Sequence, residues 1–247
     1  MKVAGIIPSR YKSSRFPGKP LANILGKSMI QRVYEQCKKC SKLSDVIVAT
    51  DNKIIYNHVL EFGGKVIMTS KEHKSGTDRC NEVAQQLYPN YELAVNIQGD
   101  EPFINPKQIS EVINLFDNTK TEIGTLAKKI NNIDLLNDKN CPKAIFDKDG
   151  MALDFCREIS SADKKYSYFK HIGVYAYKIT ILNEICKLRQ SENEKKEGLE
   201  QLRWLDNGYE IKVGSTTFES ISVDTPEDIL KIEAKMRKIP IGIIPTT

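Results

Sequence analysis

Four cationic side chains lie close together near the start of the chain. They are Arg10, Lys12, Arg15 and Lys19. An apolar run at residues 3–7 precedes them and predicts a short buried strand, which Pro8 ends because proline has no N–H for a sheet ladder. Ligands bind beyond the carboxyl ends of the strands in open α/β sheets. Guanidinium forks, an ammonium and backbone N–H groups at that place suit a polyphosphate, and a solvated basic loop is the alternative.

The loop differs from the common glycine-rich phosphate motifs. Small residues separate the cations: Ser9, Ser13, Ser14 and Gly18. The chain contains no G-x-x-x-x-G-K-[ST] segment and no G-x-G-x-x-G segment. The loop is therefore not a Walker loop.

Two aspartates follow predicted strands and are candidate metal ligands. Asp100 follows the apolar run at residues 93–97, and Asp224 follows the run at 220–223. Mg²⁺ takes one or two carboxylates and fills its remaining positions with water and phosphate oxygens. Together with the basic loop, the two acids form a set suited to phosphoryl transfer from a nucleoside triphosphate. Each also has a structural alternative, since Asp100 precedes a turn proline and Asp224 begins a helix-start motif.

Length and composition indicate a folded protein. The 247 residues favour one α/β domain, 1–247, with a nucleotide-binding-like half at 1–118, a second part of different rhythm at 119–215, and a return strand and helix at 216–247. Apolar residues make up 40% and charged residues 28%, which excludes a mostly disordered chain. The net charge of +5 suits an anionic small molecule as well as nucleic acid. No nucleic-acid-binding motif is present, so we expect no nucleic-acid partner.

The sequence also bears on location. No apolar run reaches the roughly 18 residues of a membrane helix, and the N-terminus lacks a signal-type pattern. We therefore expect a cytoplasmic protein without a membrane partner, whose six cysteines are reduced. The pair Cys37-x-x-Cys40 has no second pair to complete a zinc site.

The first half of the chain alternates predicted strands and helices. Strands are predicted at 3–7, 46–49, 65–68 and 93–97, and helices at 29–40, 53–62, 77–87 and 106–116. Ser28 and Asn105 are predicted N-caps, with Pro106 at the first helical position. This alternation predicts a mostly parallel central sheet.

The second half of the chain has a different rhythm. Strands are predicted at 123–130, 143–146, 151–155, 170–177, 210–213 and 220–223, with helices at 192–206 and from Pro226. The segment Asp147–Gly150 is a hairpin signal between two of these strands. We expect an antiparallel or mixed element added to the parallel sheet.

Three histidines are present, and the sequence gives only one of them a candidate role. His58 falls in a predicted helix and His73 in a polar loop, whereas His171 begins an apolar strand. A ring that enters a sheet interior needs a polar partner, so His171 is either a ligand or a satisfied core histidine. No Ser/His/Asp spacing indicates a covalent mechanism.

Several segments together resemble a known enzyme family. In chain order they are Ile-Ile-Pro-Ser-Arg-Tyr-Lys-Ser-Ser-Arg-Phe-Pro-Gly-Lys-Pro, Val-Ala-Thr-Asp, Ser-Gly-Thr-Asp-Arg, Asn-Ile-Gln-Gly-Asp-Glu-Pro, Lys-His-Ile-Gly-Val-Tyr-Ala-Tyr, Leu-Glu-Gln-Leu-Arg-Trp-Leu and Val-Asp-Thr-Pro-Glu-Asp. This series is similar to the 3-deoxy-manno-octulosonate (Kdo) cytidylyltransferases of lipopolysaccharide assembly, over nearly the whole chain. The resemblance implies a Rossmann-like nucleotide-diphospho-sugar transferase fold, a homodimer, CTP, a keto-deoxy sugar acid and Mg²⁺. It also implies that residues 119–215 form the sugar-binding and dimerisation part.

The resemblance also implies roles for individual residues. The implied nucleotide-binding residues are Arg10, Ser13, Arg15, Lys19, Ser75, Gly76, Thr77, Arg79 and Gln98. The implied sugar-binding residues are Gln98, Arg157, His171, Glu200 and Gln201. Asp100 and Asp224 are the implied metal ligands, and they join Arg10, Arg15 and Lys19 as catalytic residues. The implied reaction is attack of the C2 hydroxyl of the sugar on the α-phosphorus of CTP.

One segment departs from the family pattern. The family usually has Phe-Ser-Arg, then a short Ile-Pro segment and a longer loop, where this chain has Phe155-Cys156-Arg157 and a shorter loop to His171. The departure leaves the sugar open between Kdo, an amino-Kdo and a nine-carbon acid. A non-catalytic nucleotide-binding homologue is a further alternative.

Overall fold

The computed structural model describes residues 1–12, 16–159, 167–219 and 221–237. Its strands are β1 (Val3–Ser9), β2 (Asn23–Ile24), β3 (Lys27–Ser28), β4 (Asp45–Thr50), β5 (Lys65–Met68), β6 (Leu93–Asn96), β7 (Ile123–Lys129), β8 (Lys143–Phe146), β9 (Ala152–Cys156), β10 (Phe169–Lys178) and β11 (Ile211–Ser215). Its helices are α1 (Met29–Lys38), α2 (Lys53–Glu61), α3 (Gly76–Leu87), α4 (Pro106–Asn114), α5 (Ile133–Asn137), α6 (Ile179–Ile185), α7 (Glu192–Glu197), α8 (Gln201–Asp206) and α9 (Pro226–Arg237).

A mixed sheet forms the centre of the described part, in the strand order β11-β7-β10-β6-β1-β4-β5. Strands β6, β1, β4 and β5 are parallel, as the alternation in the first half predicts. Strand β10 runs antiparallel to both β6 and β7, and it also pairs with the β8–β9 hairpin. The predicted α/β fold with an added antiparallel or mixed element is therefore confirmed.

Side chains at the helix starts explain why the helices begin where they do. The Ser28 hydroxyl accepts a hydrogen bond from the Gln31 N–H at 3.2 Å, so Ser28 is the N-cap of α1. Asn105 caps α4 in a capping box, with Pro106 as the first helical residue. Both caps confirm the predictions, because short polar side chains satisfy N–H groups that a helix start leaves without partners.

Two apolar layers cover the faces of the sheet. Side chains of α1, α2 and α4 pack on one face, where Ile30, Val59 and Ile109 are fully buried. Side chains of α3, α6 and α8 pack on the other face, around Val83 and Trp204. Among the described residues, no helix is both long and apolar enough to cross a bilayer.

The structure corrects two predicted elements. The helix predicted at 192–206 is two short helices, because Gly198 adopts a left-handed backbone with φ of 64° and ends α7. The strand predicted at 220–223 is absent from the described residues 221–223. The Val223 N–H donates to the Asp100 carbonyl at 2.9 Å, and this single hydrogen bond does not form a strand ladder. Residue 220 and the end of the chain from residue 238 lie outside the described residues.

Candidate active site

A cavity of about 540 Å³ lies beyond the carboxyl ends of β1 and β6, where open α/β sheets bind ligands. Four of its lining residues are cationic: Arg10, Lys12, Lys19 and Arg79. The acids Asp100 and Asp224 also line it, together with Gly76 and Gln98. The structure thus brings residues from the beginning, the middle and the far end of the chain to one place. The predicted site residues Ser13 and Arg15 lie outside the described residues.

The ammonium of Lys19 links the two acids. Lys19 Nζ lies 2.8 Å from Asp100 Oδ2 and 3.4 Å from Asp224 Oδ1. It also donates to the main-chain carbonyl of Val223 at 2.9 Å. The side chain of Lys19 is 17% exposed, against 28% for Asp100 and 40% for Asp224, so the contacts form at the partly desolvated floor of the cavity.

The turn that precedes Lys19 sets the position of its backbone. Gly18 has φ of 72° and lies before a short 3-10 turn, Lys19–Leu21. Its N–H donates to the Tyr11 carbonyl at 2.9 Å, which closes the loop after β1. A side chain would strain the left-handed backbone at Gly18.

A small apolar cluster brings Asp224 to the loop. Ile24 and Met29, which follow the loop, are fully buried against Val223 and Ile232 of the return segment and α9. The Asp228 carboxylate then accepts hydrogen bonds from the N–H groups of Asp224 at 3.1 Å and of Thr225 at 3.0 Å. The helix-start motif and the candidate metal-ligand role of Asp224 are therefore compatible, because the backbone of this acid is capped while its side chain faces Lys19.

Close packing of two chain segments sets the position of Asp100. Strands β1 and β6 pair in parallel, and Gly99 lies in the turn that follows β6. A Cβ atom at Gly99 would lie 2.8 Å from the carbonyl oxygen of Pro8. Only glycine allows this approach of backbone to backbone. The glycine therefore lets Asp100 lie next to the loop that carries Lys19.

The second predicted nucleotide loop begins α3. Ser75 is the N-cap of this helix in a capping box with Asp78. Gly76 lines the cavity beside Pro8, and a Cβ atom there would meet only ordinary contacts at 3.6 Å. The helix N-terminus presents N–H groups and a partial positive charge, both suited to an anion.

Arg79 is fully buried, and most of its guanidinium is already bonded within the protein. One terminal nitrogen donates to the Thr69 hydroxyl and, at 3.2 Å, to the Ser70 carbonyl, and the other contacts Asp51 at 3.1 Å. These contacts tie α3 to the segments that follow β4 and β5. Arg79 therefore braces the wall of the cavity, and only its Nε atom lacks a partner among the described residues.

Asp100 and Asp224 fit a divalent cation. Their carboxylates face the same ammonium, at 2.8 Å and 3.4 Å, so both offer oxygen ligands at one place in the cavity. Within the described ranges, no three His, Cys, Asp or Glu side chains gather as a metal cluster. Mg²⁺ needs no such cluster, because two carboxylates with water and phosphate oxygens complete its shell.

Two hydrogen bonds join the nucleotide side of the site to the predicted sugar side. Gln98 Nε2 donates to the Gly173 carbonyl in β10 at 2.9 Å. The Thr77 hydroxyl of α3 donates to the carboxylate of Glu200. Burial raises the pKa of Glu200, although the hydrogen bond from Thr77 and the charge of Arg203 act against it. Glu200 therefore stands at the boundary between the two regions with an increased affinity for a proton.

His171 is neutral at physiological pH. Burial lowers its pKa to about 4. Its Nε2 atom lies 3.2 Å from the hydroxyl of Thr125, which has carbonyl acceptors of its own at Val174, 2.9 Å away, and at Ile172. Since that hydroxyl can donate to a carbonyl, the arrangement favours the tautomer with the proton on Nε2. His171 thus provides a polar ring without positive charge.

Arg157 is bonded to the protein rather than open to the cavity. Its Nε donates to the Glu197 carbonyl at 2.8 Å, and its terminal nitrogens contact the carbonyls of Lys139 at 3.1 Å and Gly198 at 3.5 Å. The contacts with Glu197 and Gly198 cap the carboxyl end of α7. Contact with a sugar carboxylate requires Arg157 to exchange some of these bonds.

Several buried polar atoms lie near the site, and most of the residues that carry them were missed by sequence reasoning. Four of them have no hydrogen-bond partner among the described residues: Ser9 Oγ, Asn96 Oδ1, the Tyr177 hydroxyl and Gln201 Nε2. Only Gln201 was predicted. Buried polar atoms normally have partners, so each is a candidate ligand contact. The alternation of His171, Tyr175 and Tyr177 along β10, on the face covered by α8, was the available signal.

A larger groove of about 670 Å³ lies elsewhere. It is lined at the starts of β7 and β11 by Ile123, Tyr209 and Lys212, among others. Because β7 runs in the same direction as β1, these starts lie at the sheet edge opposite to Lys19. Size alone does not make this groove the active site, since it contains none of the predicted site residues.

Comparisons with known proteins agree with this geometry. The family model described as "Cytidylyltransferase" matches residues 4–213. A 3-deoxy-manno-octulosonate cytidylyltransferase of Parabacteroides distasonis is 51% identical over 94% of this chain and 96% of its own length. An 8-amino-3,8-dideoxy-manno-octulosonate cytidylyltransferase of Shewanella sp. is 46% identical over 96% of this chain and 99% of its own. A solved structure of CMP:2-keto-3-deoxy-manno-octonic acid synthetase complexed with CTP superposes with a TM-score of 0.89 at 36% identity, covering 96% of this chain and 99% of that one. The chain therefore belongs to the cytidylyltransferase family, together with the 3-deoxy-manno-octulosonate cytidylyltransferases.

Proposed function

We propose that this protein transfers CMP from CTP to Kdo and releases pyrophosphate, so that its product is CMP-Kdo for lipopolysaccharide assembly. The observation that carries the proposal is the contact of Lys19 with both Asp100 and Asp224 in a cavity lined by further cations. The name of the relative that is 51% identical supports the choice of both substrates.

The cations of the loop after β1 bind the triphosphate in this proposal. Arg10, Lys12 and Lys19 line the cavity and provide charge for the phosphate oxygens. The N–H groups at the start of α3, next to Ser75 and Gly76, provide further donors. In this proposal Arg79 contacts the nucleotide only through its buried Nε–H, because its terminal nitrogens are hydrogen-bonded to Thr69 and Asp51 in the cavity wall.

Asp100 and Asp224 are the proposed ligands of Mg²⁺. When bound, this ion neutralises phosphate charge that the loop cations alone leave uncompensated. The protein aligns the C2 hydroxyl of the sugar with the α-phosphorus of CTP. A new O–P bond forms, the bond from the α-phosphorus to the bridging oxygen breaks as pyrophosphate leaves, and the hydroxyl proton passes to solvent. Lys19 stabilises charge at the reacting phosphate, so orientation and electrostatics lower the barrier.

The sugar acid occupies the face of the sheet covered by α8. Gln98 stands between the two substrates, since it lines the cavity and bonds β10. Glu200, Gln201 and the neutral His171 offer acceptors and donors for sugar hydroxyls. The sugar carboxylate needs a cationic partner. Arg157 binds it after breaking its hydrogen bonds to the carbonyls at the end of α7.

The test is release of pyrophosphate from CTP with a panel of sugar acids, namely Kdo, 8-amino-Kdo and a nine-carbon 3-deoxy-2-keto acid. We expect the highest kcat/KM with Kdo. Preference for the 8-amino sugar is the second candidate, because a relative of that name is 46% identical. CTP binding without turnover of any acid would refute both.

A homodimer is the proposed assembly. Strand β9 pairs only with β8 among the described strands, and Leu153 on it is 55% exposed. An open strand edge with an apolar side chain is suited to pairing with a second copy. Sedimentation equilibrium at micromolar concentration tests this, and a monomer there would contradict it. The cytoplasmic location remains a prediction.

A further inference from the structure

We propose that Lys19 acts as a placeholder for the divalent cation: in the nucleotide-free protein its ammonium occupies the carboxylate oxygens that the metal needs, and the triphosphate must draw it away. This inference rests on the proposed function, since it concerns the same site. It adds a coupling between nucleotide binding and metal binding.

The hydrogen-bond capacity of the ammonium is fully used. A lysine ammonium has three N–H donors and accepts nothing. Nζ has three acceptors within reach, namely Asp100 Oδ2 at 2.8 Å, the Val223 carbonyl at 2.9 Å and Asp224 Oδ1 at 3.4 Å. Lys19 therefore has no donor left for a phosphate oxygen unless one of these contacts is given up.

The metal and the ammonium compete for the same oxygens. A divalent ion held by Asp100 and Asp224 would lie next to the positive charge of Lys19, and like charges at such a distance repel strongly in a partly desolvated site. Conversely, the two carboxylates repel each other when no cation lies between them. In the free protein, Lys19 therefore relieves the repulsion between the carboxylates, but its charge also opposes binding of the metal.

A triphosphate resolves the competition because it supplies new acceptors for Lys19. The longest of the three contacts joins Lys19 to Asp224, whose side chain is also the more exposed of the two acids. Exchange of this longest contact for a phosphate oxygen disturbs the site least, and it removes the competing ammonium from the Asp224 carboxylate. We therefore infer that the protein alone binds divalent cations weakly and that nucleotide arrival opens the metal site.

The test measures Mn²⁺ binding directly, without nucleotide. The full-length protein is titrated with Mn²⁺, and electron paramagnetic resonance reports the free ion. In Lys19→Met the oxygens lose their competitor, so we expect Mn²⁺ to bind about tenfold more tightly than in the wild type. Lys19→Arg keeps a cation and should bind as weakly as the wild type.

Two controls separate this role from a general change in charge. Lys12→Met removes another cation that lines the same cavity, and we expect a gain of less than about twofold from it because exposed charges are screened by salt. The double variant Lys19→Met/Asp100→Asn should lose the gain of the single variant. Circular dichroism of each variant checks that the fold is retained.

Unchanged or weaker Mn²⁺ binding in folded Lys19→Met would overturn the placeholder role. An equal gain in Lys12→Met would overturn it too, since it would show only the field of a removed charge. Turnover of CTP by the wild type, measured in parallel, distinguishes the two failures. If turnover is present and the gain is absent, only the placeholder role is refuted; if turnover is absent, the proposed function is refuted whatever the Mn²⁺ result.

Discussion

Removal of the Asp228 carboxylate tests whether the start of α9 sets the position of Asp224. The carboxylate accepts from two consecutive N–H groups, those of Asp224 at 3.1 Å and Thr225 at 3.0 Å. Burial raises the pKa of Asp228, but these hydrogen bonds outweigh it and hold the pKa below its usual value. The charged form of this side chain is therefore stabilised by the backbone next to the candidate metal ligand.

The expected cost follows from these contacts. Loss of a capping side chain costs about 0.5–2 kcal/mol, and a hydrogen bond to a charged group contributes about 1.5–3 kcal/mol. The Asp228 side chain is 27% exposed, so water replaces part of what is lost. We expect Asp228→Ala to lower the free energy of unfolding by about 1–2 kcal/mol. Asp228→Asn keeps an acceptor oxygen and should lose about half as much.

The assay combines urea unfolding with steady-state pyrophosphate release. If Asp228 positions Asp224, Asp228→Ala reduces kcat more than it raises the KM for CTP, the optimum shifts to a higher Mg²⁺ concentration, and Asp228→Asn restores part of the activity. Glu227→Ala, which removes the exposed acid next to it in the sequence, is the matched control. Destabilisation of Asp228→Ala without any change in the Mg²⁺ dependence would refute the positioning role.

Two further predictions concern His171 and Gly99. Burial lowers the pKa of His171 from 6.5 to about 4, so the unfolded chain binds this proton at a higher pH than the folded protein does. The free energy of unfolding should therefore fall by up to about 3 kcal/mol as the pH drops from 6.5 to about 4. Urea unfolding of His171→Asn should lack this part of the pH dependence. Gly99→Ala forces a Cβ to within 2.8 Å of the Pro8 carbonyl. We expect a loss of about 1–3 kcal/mol by urea unfolding, while Gly76→Ala, with room for its Cβ, stays within about 0.5 kcal/mol of the wild type; equal stabilities would contradict the packing argument.

Local chemistry made part of the fold predictable. The apolar runs that became β1, β4 and β6 are buried on both faces, and they lack the alternation of a half-exposed strand. Ser28 and Asn105 precede helical patterns and cap them. The rule that ligands bind beyond the carboxyl ends of parallel strands placed Asp100 near the basic loop without knowledge of side-chain contacts.

Other features depend on contacts between distant segments and left little trace in the sequence. Residues 221–223 have the apolar character of a strand, yet the Val223 N–H bonds to the Asp100 carbonyl and the Val223 carbonyl accepts from Lys19. The Val223 side chain packs in the small cluster beside α9. Gly198 ends α7 within a charged stretch typical of one long helix. The hydrogen bonds of Arg157 to the carbonyls of residues 139, 197 and 198 depend on how the β8–β9 hairpin packs against α7.

The central claim is that the cations after β1 and the acids Asp100 and Asp224 form one site for CTP and a metal. A crystal structure with Mn²⁺ and a non-hydrolysable CTP analogue, with the anomalous signal of the metal measured, tests it most directly. We expect one strong anomalous peak bound by both acids, with a phosphate oxygen on Lys19. A peak that neither acid contacts, or nucleotide bound in the groove beside Tyr209 at the opposite edge of the sheet, would contradict it.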